Sequence, residues 1–328
     1  MSNYNFRKEA QVWFEAVTTA GGVLAPVKLD VSSISFNQTF TDKTYSQKTI
    51  HNSDYFFDQS NITTANPASF EFKLNVIETN EFNNLYKALL QANKFNLYIR
   101  TKNDGHVYRL TTCVATSGKF LIEKLETLAL TFTGEAAKLS VLKGNDANTA
   151  NTLLNGQSAV IPSNPTYQRV ESLQLKFVTP GTGVTFIDLT DGLLKTSVEI
   201  QNEVKWTPYT TLNDALNVTD ETNSMYPSNF TISKKIISGS ILTYAIDSTD
   251  SDNLQTWNQH NAQLILTAGS YAGGYSPVKG FNFSLDNCTF TNRVNVDEVF
   301  TQNFDWKFNG DPTQTDLTQL IKFNNTTV

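Results

Sequence analysis

The sequence holds only two cysteines, Cys113 and Cys288, and three histidines in 328 residues. Two thiols are too few for a disulfide framework or a cysteine-based structural zinc site. They suit buried free thiols in a reducing cytoplasm, where cysteine behaves as a small hydrophobe. His51, His106 and His260 lie in no nucleophile–base motif, and G-x-S-x-G, HExxH, P-loop and Rossmann glycine patterns are all missing. Asp250-Ser251-Asp252-Asn253 opens like a calcium loop but lacks the glycine and the closing glutamate, so it reads as a solvated loop or helix cap. The expectation is therefore no enzyme, no metal and no cofactor. No apolar run approaches the roughly 18 residues that span a bilayer. No apolar segment follows the N-terminal MSNYNFRKEA, so no secretory leader is expected. Basic clusters are missing too, which argues against tight nucleic-acid binding.

What the chain does hold is aromatic and β-favouring. It has 22 Phe and 12 Tyr, is 39% hydrophobic and 17% charged, and is rich in Thr, Asn and Ser. Such a composition favours short strands joined by polar loops over helices. The length suits two domains of roughly 150 residues, each large enough to bury a core without staples. The net charge of −6 is uneven: residues 1–145 carry 15 Lys/Arg against 13 Asp/Glu, and residues 146–328 carry 10 against 18.

The two halves echo each other in order, which is the first thing to test in a chain of this length. Gly22-Val23 matches Gly183-Val184. Ile34, Phe36 and Phe40 match Val198, Ile200 and Val204, with an amide at Gln38 and Asn202. Phe70–Leu74 alternates as Phe230–Ser233 does. Cys113-Val-Ala-Thr116 matches Cys288-Thr-Phe-Thr291. Leu128, Leu130 and Phe132 before Gly134 match Phe304, Trp306 and Phe308 before Gly310. Strict alternation of this kind marks half-buried strands. The reading is a tandem duplication with domains at 1–142 and 168–328, joined by an Asn/Ser/Thr/Pro-rich linker at 143–167. Cys113 should superpose on Cys288, and Phe132 on Phe308.

One short helix is expected in each half. Phe82, Leu85, Tyr86, Leu89 and Leu90 have helical spacing within Glu78–Ala92, with Thr79 as a possible cap. Leu254 and Trp257 suggest a second helix over Ser251–His260. Residues 42–67 and 207–227 read as long loops. Tyr45, Tyr55, Phe56 and Phe57 on the first and Tyr209 and Tyr226 on the second offer either a docking surface or packing beneath the loop. Trp13, Trp206, Trp257 and Trp306 fall mostly in apolar patterns and read as core.

The blocks Val31–Phe40, Phe70–Val76, Glu78–Ala92 and Cys113–Gly134, with Lys195–Trp206, Phe230–Ile232 and Cys288–Gly310, resemble the tail-tube domain of long-tailed bacteriophages. That domain is shared with the inner tube of contractile injection systems. The resemblance implies a mainly β fold of two tandem β-sandwich or split-barrel domains, each with a short flanking helix. It implies a structural virion protein assembled in the host cytoplasm, three chains forming a pseudo-hexameric ring. Rings would stack into a tube that conducts DNA without holding it. The partners would be the chain itself, tail-tip or baseplate and terminator proteins, and a sheath. On this reading Ser35, Asn37, Thr39, Thr131, Thr133, Glu199, Gln201, Glu203 and Asp305 line the lumen, with the acids of the second half dominant. An ordinary solvent-facing sheet is the alternative for those residues, and the aromatic loops would make inter-ring contacts. Another ring-forming tail or baseplate component, or a carbohydrate-binding or carbohydrate-degrading β protein, are the competing functions.

Overall fold

A computed structural model describes residues 10–18, 20–46, 58–76, 83–101, 106–123, 126–156, 169–179, 183–189, 192–207, 225–245, 258–269, 280–296, 298–310, 321–323 and 326–327. The first half contributes strands β1 (Gln11–Ala16), β2 (Val27–Leu29), β3 (Val31–Asn37), β4 (Phe40–Ser46), β5 (Asp58–Ala65), β6 (Ala68–Asn75), β7 (Phe95–Arg100), β8 (Val107–Glu123) and β9 (Ala129–Leu142). Helix α1 (Asn83–Gln91) precedes β7 and helix α2 (Gly144–Asn155) follows β9. The second half adds β10 (Arg169–Thr179), β11 (Gly183–Asp188), β12 (Leu193–Trp206), β13 (Phe230–Tyr244), β14 (Asn258–Gly269), β15 (Gly280–Val296) and β16 (Phe300–Phe308). Short β17 (Ile321–Phe323) pairs with β15 and with β18 (Thr326–Thr327). The fold is mainly β, as the composition predicts.

Both halves use one strand order. The first runs β2-β1-β7-β8-β9-β6-β3 and the second β11-β10-β14-β15-β16-β13-β12, all pairs antiparallel. Both are joined edge to edge, because β12 also pairs with β8, from Lys195 opposite Glu123 to Gln201 opposite Ser117. Sixteen strands thus share one hydrogen-bonded sheet, and β4 and β5 form a separate two-stranded one. Alternation drives the burial: β6 is buried at Ala68, Phe70, Phe72 and Leu74 and exposed between them. The main core runs through both halves, from Phe14, Phe72 and Phe132 to Ile200, Phe283 and Trp306.

The long strand β8 turns a corner at Thr112, whose φ is 54°, and β15 does so at Asn287, with φ 59°. Each left-handed residue precedes a fully buried cysteine. Cys113 Sγ donates to Leu110 O at 3.4 Å and Cys288 Sγ to Leu285 O at 3.7 Å. Past the corner β8 leaves β7 and takes β12 as its neighbour. Strands that change sheets at a bend of this kind are how orthogonal β packings make their corners.

The ladders fix which residues correspond, and they correct part of the sequence alignment. Phe36, Phe70, Gly134 and Ala115 lie opposite one another across β3, β6, β9 and β8. Val198, Gly239, Trp306 and Phe290 do so across β12, β13, β16 and β15. Both rows include the cysteine-bearing strand, two residues beyond the cysteine. Phe36 therefore occupies the position of Val198, not of Ile200. Cys288 faces Phe308 whereas Cys113 faces Ala136, so Ala136, not Phe132, is the counterpart of Phe308. The reason is an exchange of bulk within the row. A Cβ on Gly134 would meet Phe70 Cζ at 2.3 Å, and one on Gly239 would meet Trp306 Cζ2 at 2.6 Å. The first half puts its ring on β6 over a glycine of β9, and the second puts its ring on β16 over a glycine of β13. Volume is conserved while the apolar letters move.

Other elements depart from expectation as well. Residues 144–155, read as linker, form α2, held by Ala150 and Leu154 packing with Trp13, Tyr98 and Val107. Arg100, stacked 4.8 Å from the Trp13 ring, donates to Asn155 Oδ1 at 2.5 Å. This helix packs on Tyr98 and Arg100 at one side of β7, a strand whose every residue is buried. The loop expected from residue 42 to 67 is strand-paired at both ends, Phe40 opposite Ala65 and Ser46 opposite Asp58. Helix α1 begins at Asn83, and its expected start from Glu78 through Phe82, Thr79 included, lies outside the described residues. Asn258, Gln259 and His260, expected to end a second helix, open strand β14, and Ser251–Trp257 lies outside the described residues.

Candidate functional surface

Opposite the core, one polar face runs across both halves. A first row on it, followed along the ladders, is Ser33, Lys73, Thr131, Lys119, Glu199, Ser238, Lys307 and Thr289. A second is Ser35, Glu71, Thr133, Ser117 and Gln201. Directly opposed residues on antiparallel neighbours point to the same side. The β8–β12 pairing makes the face continuous, since it sets Glu199 opposite Lys119.

Most of the expected surface residues share this face. Ser35, Asn37, Gln201 and Glu203 are exposed, and Thr131, Thr133, Glu199 and Asp305 are half-buried among their neighbours. Thr39 is exposed just beyond the end of β3. Asn37 Oδ1 accepts from Ser69 Oγ at 2.6 Å. Glu199 Oε1 accepts from Gln201 Nε2 at 2.7 Å and from Ser117 Oγ at 3.4 Å, the latter across the junction.

The face is charge-paired rather than acidic, which corrects the expectation drawn from the charge split. Arg293 reaches Asp305 at 3.4 Å, Lys205 reaches Glu203 at 3.8 Å, and Lys195 reaches Glu123 at 2.5 Å. The Lys195 hydrogen bond, followed by its charge, holds the Glu123 carboxyl below the usual carboxylate range. Lys234 lies opposite Glu203. The second half's share therefore sets Lys195, Lys205, Lys234, Lys307 and Arg293 against Glu199, Glu203 and Asp305. Lys73, Lys119, Glu71 and Arg293 were not singled out from sequence. The strict alternation of Phe70-Glu71-Phe72-Lys73-Leu74 held the signal for two of them.

The aromatic residues expected on loops fall in different settings. Tyr45 falls in β4 opposite Gln59. Tyr55, Phe56, Phe57 and Tyr209 lie outside the described residues. Tyr226 is 7% exposed, packs with Ala65 and Met225, and has Lys138 Nζ 4.6 Å from its ring centre. Its side chain is used within the chain, as the local-packing alternative has it. Trp13 and Trp306 are core, whereas Trp206 is half-buried and donates from Nε1 to Glu135 Oε2 at 2.6 Å.

The junction between halves is also anchored beneath the face. Asn202 Nδ2 donates to Leu89 O and Ala115 O, both at 3.0 Å, and Lys235 Nζ donates to Leu90 O. The last carbonyls of α1, left without helical partners, are thus capped by the second half. Burial lowers the Lys235 amine to about 8. A cleft of about 580 Å³ opens beside this anchor, lined by Phe14, Leu24, Lys87, Lys94 and Phe230 among others, with no carboxylate among the described residues of its lining.

Among the described residues, no helix is long and apolar enough to cross a membrane. No protein-family model matches the chain, and no curated protein matches it either.

Proposed function

We propose that the chain is a tandem-repeat structural protein that closes into rings of three chains, six repeats per ring, stacked as a phage-type tail tube around passing DNA. The observation that carries this reading is the edge-to-edge joining of two halves of identical strand order into one sheet with one continuous polar face. A repeat that joins its neighbour head to tail closes a ring when the rotation per step divides a full turn. The number six comes from the family that the sequence blocks resemble. The matched left-handed corners before Cys113 and Cys288 support common descent of the two halves.

A polar, charge-paired face suits a conduit. Isolated Lys/Arg surfaces retain phosphate backbones through counterion release, and a cation already facing a carboxylate has less to offer. Negative-stain microscopy with native mass measurement tests the reading. The expected particle is a ring of three chains, singly or in stacks. A six-chain ring would mean that each chain lends only one repeat, and monodisperse monomers would favour a binding module.

A further inference from the structure

The junction inside the chain is a template for a junction between chains. On the acceptor side, Phe120 and Ile122 of β8 are 0% and 2% exposed, with Val198 and Thr196 of β12 lying opposite them. Their counterparts on β15 follow from the last strands of the two halves. Phe132 faces Gly118 as Phe304 faces Asn292, so Phe120 corresponds to Val294 and Ile122 to Val296. Val294 is 40% and Val296 69% exposed. Strand β14 reaches β15 only as far as Thr291, and among the described residues nothing pairs with Asn292–Val296 on that side. Val299 and Phe300, also exposed, extend the apolar patch at the same end.

On the donor side, β3 is the counterpart of β12. Among the described residues it pairs with β6 alone and no strand lies on its outer edge, and exposed Phe40 follows it. Among the described residues the chain thus leaves one donor edge and one acceptor edge unpaired, each equivalent to a strand that is already joined at the internal junction. Open, apolar strand edges are the feature that native proteins cover or consume.

We propose that β3 of a second copy of this chain docks antiparallel on residues Asn292–Val296 of β15, in the register that β12 takes on β8. That register sets Phe36 opposite Val294 and Ile34 opposite Val296 on the core side, and Asn37 opposite Arg293 on the polar face. Arg293 then stands where Lys119 stands opposite Glu199, and the polar face continues unbroken into the next chain. The inference rests on the ring reading for the number of chains, and on the internal junction for the strands and register.

Cross-linking in register tests it. In the full chain carrying Asn37→Cys and Arg293→Cys, mild oxidation should convert most chains into covalent multimers, since directly opposed residues on antiparallel strands fall within disulfide reach. Asn37→Cys with Thr289→Cys, about 13 Å further along the strand, should yield at least tenfold less. Val294→Lys with Val296→Lys alters side chains exposed in the single chain, so it should leave the melting temperature of the unassembled protein unchanged and abolish assembly. Rings that form but fail to cross-link, or cross-link equally from both pairs, overturn the proposed junction and leave the ring reading standing. In-register cross-linking into open oligomers without three-chain rings upholds the junction and removes the ring reading. Chains that neither assemble nor cross-link overturn the junction.

Discussion

Thr112 and Asn287 occupy the same left-handed corner, but asparagine is tolerated there far better than a β-branched residue. Thr112 N donates to Asn96 Oδ1, which ties the corner to β7 whatever its own side chain is. Thr112→Asn is therefore expected to stabilise the protein by about 1 kcal/mol, the lower end of the strain stored in such conformations, read as a raised urea midpoint. Lys235 makes the opposite kind of point, because nothing in the sequence around it signals burial. Its folded pKa of about 8 lies below the ordinary lysine value of 10.5. Below about 8 both states carry the proton, and the folded state bears the full cost of burying the charge. Between the two values the unfolded chain holds the proton that the folded one has shed, so stability rises with pH across that window and levels off above it. The gain approaches about 3 kcal/mol, and Lys235→Met should remove it. Urea midpoints of both proteins from pH 7 to 10.5 supply the comparison, and parallel curves would refute the assignment.

Strands were legible in the sequence wherever alternation was strict, as in Phe70–Leu74 and Val198–Val204. The residue-level alignment was not, because the exchange of Phe70 over Gly134 for Trp306 over Gly239 moves the large letters to different strands. A match on apolar letters then slides β3 against β12 by two residues and β9 against β16 by four. Helix α2 was hidden by its Asn- and Thr-rich composition, since two buried side chains and Arg100 hold it rather than helix propensity. The polar face could be read strand by strand, but its charge pairing depends on registers between strands far apart in sequence. The glycine exchange gives an element-scale prediction. Gly134→Ala and Gly239→Ala should each cost about 3 kcal/mol, the upper end of overpacking penalties, because a methyl group at either site meets both an aromatic ring and a neighbouring backbone carbonyl. Thr133→Ala, on the polar face one residue away, should stay within about 0.5 kcal/mol. Equal effects at Gly134 and Thr133 would show that the row is not tightly packed.

At the scale of the whole molecule, the net charge of −6 and the charge of the face are separate quantities. Asp and Glu outnumber Lys and Arg along the chain, yet the face carries Lys73, Lys119, Lys195, Lys205, Lys234, Lys307 and Arg293 against Glu71, Glu123, Glu199, Glu203 and Asp305, and four of the five anions stand opposite or beside a cation. A surface of that kind should repel DNA weakly and hold it weakly, which is the property a conduit needs. Reversing two of the anions should expose the cations that they offset. Glu199→Lys with Glu203→Lys leaves Lys119, Lys205 and Lys234 on one stretch of face without the carboxylates opposite or beside them. Both sites lie on the solvent side of β12, so the fold should persist, with an unchanged melting temperature as the check. Short duplex DNA should then bind the assembled variant measurably at low salt. Every additional phosphate that the variant neutralises steepens the dependence of log affinity on log salt by about 0.9. The parent protein should show little retention under the same conditions. Strong binding by the parent would mean that the pairing does not neutralise the face, and an unaltered variant would mean that DNA never reaches it.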